Sequence, residues 1–480
     1  MKYMILLALL VFTGATSICI AQTGAPTPAG RVPSFQVKFS EPLAVLNFLS
    51  NLSSNAPPKN PFKQLFNSSR FNQQKYQMLI TEFDKLNIDY DYDFPEYPSG
   101  EQIGLSTASL LKKRLIDSQS MDEFKVSSMG IIPNESLFKL VQILAEFTPV
   151  YQEVIYLPNK EKFEQQLENF KKLITSSEVS SYFNDGIKFY NSSWDNSVPF
   201  NFLFYPLPGS QGYRATAFSN DVESPLPTSF KDYNLLLSLM FHEIFHILYD
   251  DEPLALQKQI RQWRSANPSR SSHYAFTLLN ESLATALGNG GYVYGKLNGK
   301  VNEGSWYGRK YISDMAKKIY PLVREYVENL RSIDQAFIDN FIKLFDDNFS
   351  EWLLDPEFVM SGRYVLSDNA EDFKIIDQRF RYRPSTEYLE GISATSIENL
   401  AKARTTRVIF VSKDNEKKLQ LIRQGFDELK DWKPDARTDF TYSLLLEDRA
   451  YLILINSVRK TPKEQLETLR LNSTGLYEPK

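Results

Sequence analysis

The stretch Leu235 to Tyr249, LLLSLMFHEIFHILY, restricts the possible folds of this chain more than any other. Its apolar residues leave one narrow polar stripe, Asn234, Ser238, His242 and His246, at four-residue steps. Residues four apart share a face of an α-helix. The pattern therefore predicts a helix surrounded by protein on nearly every side, with the other elements layered around it.

The stripe carries chemistry. His242-Glu243-Ile244-Phe245-His246 is an H-E-x-x-H pentad, and the chain has only 3 histidines among 480 residues. At that frequency the pentad arises by chance in roughly one such chain per thousand. On a helix the two imidazoles aim at one point, at a spacing that suits a tetrahedral zinc ion, and Glu243 lies beside them to handle a water. A buried glutamate between two buried histidines is costly unless a cation compensates it. The plainer alternative is a pair of hydrogen-bonded core histidines beside a buried ion pair.

Zinc needs a third protein ligand and, for catalysis, an open fourth position. Thiolates are excluded, because the single cysteine, Cys19, lies in an N-terminal stretch read as a leader. Lys2, the apolar run Met4 to Phe12 and the small residues Ala15 to Ala21 form a secretory-type signal with cleavage expected near Ala21 or Gln22. Ile18 before Cys19 makes a poor lipobox, so a lipid anchor is the lesser alternative. The reading is a secreted or periplasmic protein with no membrane-spanning segment after cleavage. Two third-ligand candidates remain, His273 and Glu281, the latter in Asn280-Glu281-Ser282-Leu283-Ala284.

The rest of the chain reads as α+β and mostly helical. Residues 22–39 are a Thr-, Pro- and Gly-rich leader, and 40–180 a helical region with helices expected at Pro42–Leu52, Gln73–Leu86, Gly100–Asp117, Glu135–Phe147 and Lys160–Leu173. Short strands are expected at Gly186–Tyr190, Phe200–Leu207 and Tyr213–Ser219, just before the motif helix. Residues 349–400 look irregular. Residues 401–480 read as a β-α-β-β-α module with helices on one face of a small sheet. The formal charge of −4, with both signs mixed, argues against a nucleic-acid partner.

Strands leading directly into an H-E-x-x-H helix, with an N-E-x-x-A segment on a later helix, resemble the zincin metallopeptidases and, within them, the gluzincin branch. The resemblance covers about residues 200–300. The metzincin pattern is absent, since Ile247 to Asp251 supply neither glycine nor histidine. Two departures separate the chain from thermolysin-like enzymes: 34 residues intervene between His246 and Glu281, and Thr285 stands where an acid is usual. The resemblance implies a zincin-like catalytic domain over 181–400, Zn²⁺ held by His242, His246 and Glu281, and Glu243 as general base. It also implies an edge strand that pairs with an extended peptide or protein substrate, for which Tyr213–Phe218 is the candidate. Tyr292, Tyr294 and His273 are the nearest candidates for stabilising an oxyanion, and Asp250 or Asn280 for orienting a ligand histidine. The rival from another class is a non-catalytic binding protein on a zincin-like scaffold. Substrate and oligomeric state are not encoded legibly.

Overall fold

A computed structural model describes residues 33–92, 94, 96–97, 106–209, 214–382 and 384–472. The secretory-type leader with Cys19, and Tyr213 of the expected edge strand, lie outside these residues. No helix among them is long and apolar enough to cross a membrane.

The motif helix forms over Tyr233–Asp250. Asp232 caps it, accepting the Leu235 amide at 3.0 Å and so satisfying one of the four free donors at a helix start. Phe241, Ile244, Phe245 and Leu248 are fully buried in the largest core. Truncating one of them, Ile244→Ala for example, would cost about 2–5 kcal/mol.

A four-stranded sheet covers this helix in the order β1 (Phe35–Lys38), β2 (Phe200–Leu207), β4 (Asp221–Pro227), β3 (Thr216–Phe218). β1, β2 and β4 are parallel, and β3 runs antiparallel to β4 at the edge. β1 falls within the stretch expected to be a leader. Prolines 225 and 227 are tolerated in β4 because β3 pairs only with Asp221 to Glu223, which leaves the proline end unpaired on that side.

The Gly186–Tyr190 stretch is helical, not a strand. It closes a helix over Val179–Tyr190 whose buried residues, Val179, Tyr182, Phe183, Gly186, Phe189 and Tyr190, recur at helical spacing. The window starting at Gly186 was too short to reveal that period.

The expected helices of the N-terminal region form, that read as Gly100–Asp117 over Thr107–Asp117, its first residues, 100–105, lying outside the described residues; two further ones stand at Pro61–Ser68 and Met121–Ser127. They enclose a second core that takes Tyr205 and Leu207 from the back of the sheet.

The C-terminal sheet is larger than expected. Its five strands are ordered β6 (Ser385–Glu390), β5 (Gly362–Ser367), β7 (Thr406–Val411), β9 (Tyr451–Asn456), β8 (Phe440–Leu445), parallel except for β8. It therefore takes two strands from the stretch read as irregular. β6 is exposed or half-buried throughout, so it lacks the apolar run by which a strand is recognised.

Helices cover both faces, not one. Val365, Val408, Phe410 and Ile453 join the core of the motif helix, while Leu366, Ile409, Val411 and Leu452 pack beneath the helices Ala394–Lys402 and Asn415–Gly425. This is the alternation of a parallel sheet buried on both sides.

Candidate metal centre

The helix Leu279–Leu287 packs against the motif helix and brings Glu281 to the histidine pair. Its end must come very close, and a glycine permits this. A Cβ on Gly288 would sit 2.8 Å from the Ala284 carbonyl oxygen and from both Cα and Cβ of His242. No rotamer relieves a clash with backbone. Gly288→Ala is expected to cost about 3 kcal/mol, at the upper end of overpacking penalties, and to lower metal retention; thermal denaturation and metal analysis of the variant check both.

His242 Nε2 and His246 Nε2 lie 3.1 Å apart, and each is 3.6 Å from Glu281 Oε2. Ligand atoms around a tetrahedral zinc with bonds of about 2.0–2.1 Å are spaced by about 3.3–3.4 Å. The observed triangle brackets that spacing. Glu281 Oε2 is buried and accepts no hydrogen bond, a costly state for a carboxylate oxygen unless a cation meets it. The donor set of two imidazoles and one carboxylate suits zinc. Among the described residues this is the one group of three such side chains placed to hold a metal.

The tautomer of His246 is set by its neighbour. Nδ1 lies 2.7 Å from Asn280 Oδ1. An amide oxygen only accepts, so Nδ1 donates and the Nε2 lone pair of the neutral ring is left for a metal. Asn280, adjacent to Glu281, is thus the residue that orients His246. Asp250 does not line the cavity; its carbonyl accepts from Gln257 at 3.1 Å.

Burial opposes charge on all three side chains, with different outcomes. His242 is lowered to about 4, by burial and then by the neighbouring His246. For His246 burial acts in the same direction, yet Glu281, Glu243 and Asn280 together raise it to about 9. Glu281 is raised by burial but falls to about 2 under the two histidines and the Tyr307 phenol.

Glu243 is pushed above the usual carboxyl range by burial, against the opposing effects of His246, the Ala217 amide of β3 and Arg214. A raised glutamate is what a general base working near neutrality requires.

The cluster opens into a cavity of about 910 Å³, walled by the β3 segment on one side and by Asn289, Trp306 and Tyr307 on the other. Exposure rises from 5% at His242 to 34% at Glu281, so the cluster is approached from the glutamate side. Tyr307 sits with its ring centroid 6.0 Å from that of His242. Burial and the charge of Glu281 raise its phenol far above the ordinary range. Tyr382, from the C-terminal sheet region, also feels Glu281 and stacks under Arg309.

The oxyanion candidates chosen by proximity in sequence lie elsewhere. Tyr292 donates to Asp185 Oδ2 at 2.5 Å and packs edge-on against Tyr182; neither it nor Tyr294 lines the cavity. His273 is outside the metal cluster and packs on Tyr274, which bonds to Thr406 of β7. Chain distance misled here because Tyr292 opens a helix, Tyr292–Asn298, whose first residue turns to Asp185, and the chain lines the cavity again only from Asn302 to Gly308. With 26 tyrosines in the chain, no spacing rule marks Tyr307.

His273 has a structural consequence instead. Burial, with Arg264 and Arg407 nearby, lowers it from 6.5 to about 4, against the pull of Asp448. The unfolded chain takes up this proton below pH 6.5 and the folded chain only near pH 4. The stability tied to the neutral ring is complete above the first value and lost toward the second, by up to about 3 kcal/mol. In metal-loaded protein, His273→Gln is expected to flatten the acid limb of the urea midpoint against pH.

Comparison with protein-family models, with curated proteins and with solved structures finds no match to this chain.

Proposed function

We propose that this chain is a zinc-dependent metallopeptidase of the gluzincin type. The observation that carries the reading is the convergence of His242, His246 and Glu281 on one point beside Glu243, in an open cavity below the edge of a sheet. A zinc ion held there would polarise a scissile carbonyl and lower the pKa of a water.

The chain's own residues account for the remaining work. Glu243 takes the proton from the attacking water and delivers it to the leaving amine. Asn280 keeps His246 in the ligating tautomer. Tyr307, in the cavity wall beside Glu281, supports this reading as the donor to the carbonyl oxygen as negative charge develops on it. β3, bonded on one side to β4, offers its other side to an extended peptide. The secretory-type pattern of residues 1–21 supports an activity outside the cytoplasm.

The test is direct. The purified full chain should carry about one equivalent of zinc and cleave members of a random peptide library. A chelator should stop cleavage and added zinc restore it. Stoichiometric metal with no cleavage of peptide or protein would leave only a binding role; neither metal nor cleavage would remove the reading.

A further inference from the structure

The cavity at the metal centre does not end at β3. A second cavity of about 760 Å³ lies at the back of the same sheet, against the N-terminal helices, and the two share Arg214 and Thr216 as walls. The sheet explains the arrangement. Side chains alternate between the faces of a strand. Phe202, Phe204 and Val222 enter the core of the motif helix, while Tyr205 and Leu207 enter the core of the N-terminal helices. Thr216 stands opposite Glu223 in the β3–β4 register, and both line the back cavity. A polypeptide added to the free edge of β3 continues the alternation, one side chain turned toward the metal centre and the next toward the back.

The charge of the back cavity is unbalanced. Among the described residues Glu223 is the one carboxylate in its lining, and it is matched: Lys112 pairs with it and Asn47 Nδ2 donates to it at 3.0 Å. Lys59 and Arg214, the other charged groups in the lining, form no ion pair among the described residues. The remaining wall mixes polar side chains such as Asn51 and Gln64 with apolar ones such as Phe62, Pro61 and Leu207.

We infer that the back cavity is a side-chain subsite selecting an acidic residue, aspartate or glutamate, of an extended polypeptide bound along β3. That residue is one position out of phase with the side chains facing the metal centre. The inference rests on the peptidase reading and narrows it: the substrate is an acidic polypeptide chain, not a free small molecule.

The experiment uses the zinc-loaded full chain. Cleavage of a random peptide library should yield a position enriched in Asp and Glu, and matched peptides with Glu or Gln there should differ in kcat/KM by about threefold to tenfold, the scale of two exposed charge pairs. Binding of the same labelled pair to the Glu243→Gln protein, followed by fluorescence anisotropy, supplies a readout without turnover. Lys59 lines the back cavity and not the cavity at the metal centre, so Lys59→Glu should reverse the Glu-over-Gln preference and turn it toward Lys. Cleavage with no acidic preference at any position, and a Lys59→Glu profile superimposable on wild type, would overturn the subsite while leaving the peptidase intact. Charge-selective binding without cleavage would keep the subsite and remove the peptidase; neither binding nor cleavage removes both.

Discussion

Replacing Glu243 with glutamine will reduce turnover by about 10³-fold, within the span usually attributed to general acid–base groups, and will leave zinc content unchanged. The amide has the shape of the carboxyl but cannot take a proton from water. Glu243 is not one of the three side chains whose ligand atoms converge, so its loss takes nothing from the metal. Its surroundings point the same way: burial raises the carboxyl while the Ala217 amide, His246 and Arg214 limit the rise. An upward shift makes the carboxylate a better proton acceptor, the direction a general base requires. Steady-state kinetics on a cleaved peptide, with metal analysis of the same sample, decides the matter. A Glu243→Gln protein as active as wild type, with zinc bound, would eliminate this mechanism.

The second large effect separates two neighbours on one helix. Glu281→Ala removes a ligand atom and is expected to weaken zinc affinity by more than about 100-fold, beyond the 10–100-fold usual for an outer partner. Asn280→Ala removes only the acceptor that orients His246, and a loss within that 10–100-fold range is expected. Competition with a chromophoric chelator measures both. Equal and small effects would mean that Glu281 merely solvates its helix. The fold should survive in both variants, because the apolar face of that helix, Leu279, Leu283, Ala286 and Leu287, remains buried in the main core.

The C-terminal sheet bears on how these variants behave. One of its faces shares a core with the motif helix, and the Tyr274 hydroxyl ties the segment after His273 to both Thr406 and Tyr451. The sheet is therefore part of the support of the candidate metal site, and in its neighbourhood burial and the Glu281 charge raise the Tyr382 phenol.

Much of this was already written in local sequence. The motif helix, its buried character and the convergence of His242 with His246 follow from a period of about 3.6 residues acting within one element. β2, β7 and β9 were legible for the same kind of reason, since a strand buried on both faces is an uninterrupted apolar run. Glu281 was reachable because its short motif lies on a helix, although only packing could choose it over His273.

Tertiary structure decided the rest. Tyr307 comes to Glu281 through a loop whose path no periodicity records, whereas Tyr292, nearer in sequence, turns to Asp185. β6 escaped notice because an exposed edge strand needs no apolar residues, and β4 because its prolines are allowed only where β3 stops. Local sequence determines an element's kind and its buried face, since those depend on neighbours a few residues apart. Which side chain from a distant loop meets which ligand depends on how those faces pack, and that is a property of the folded whole.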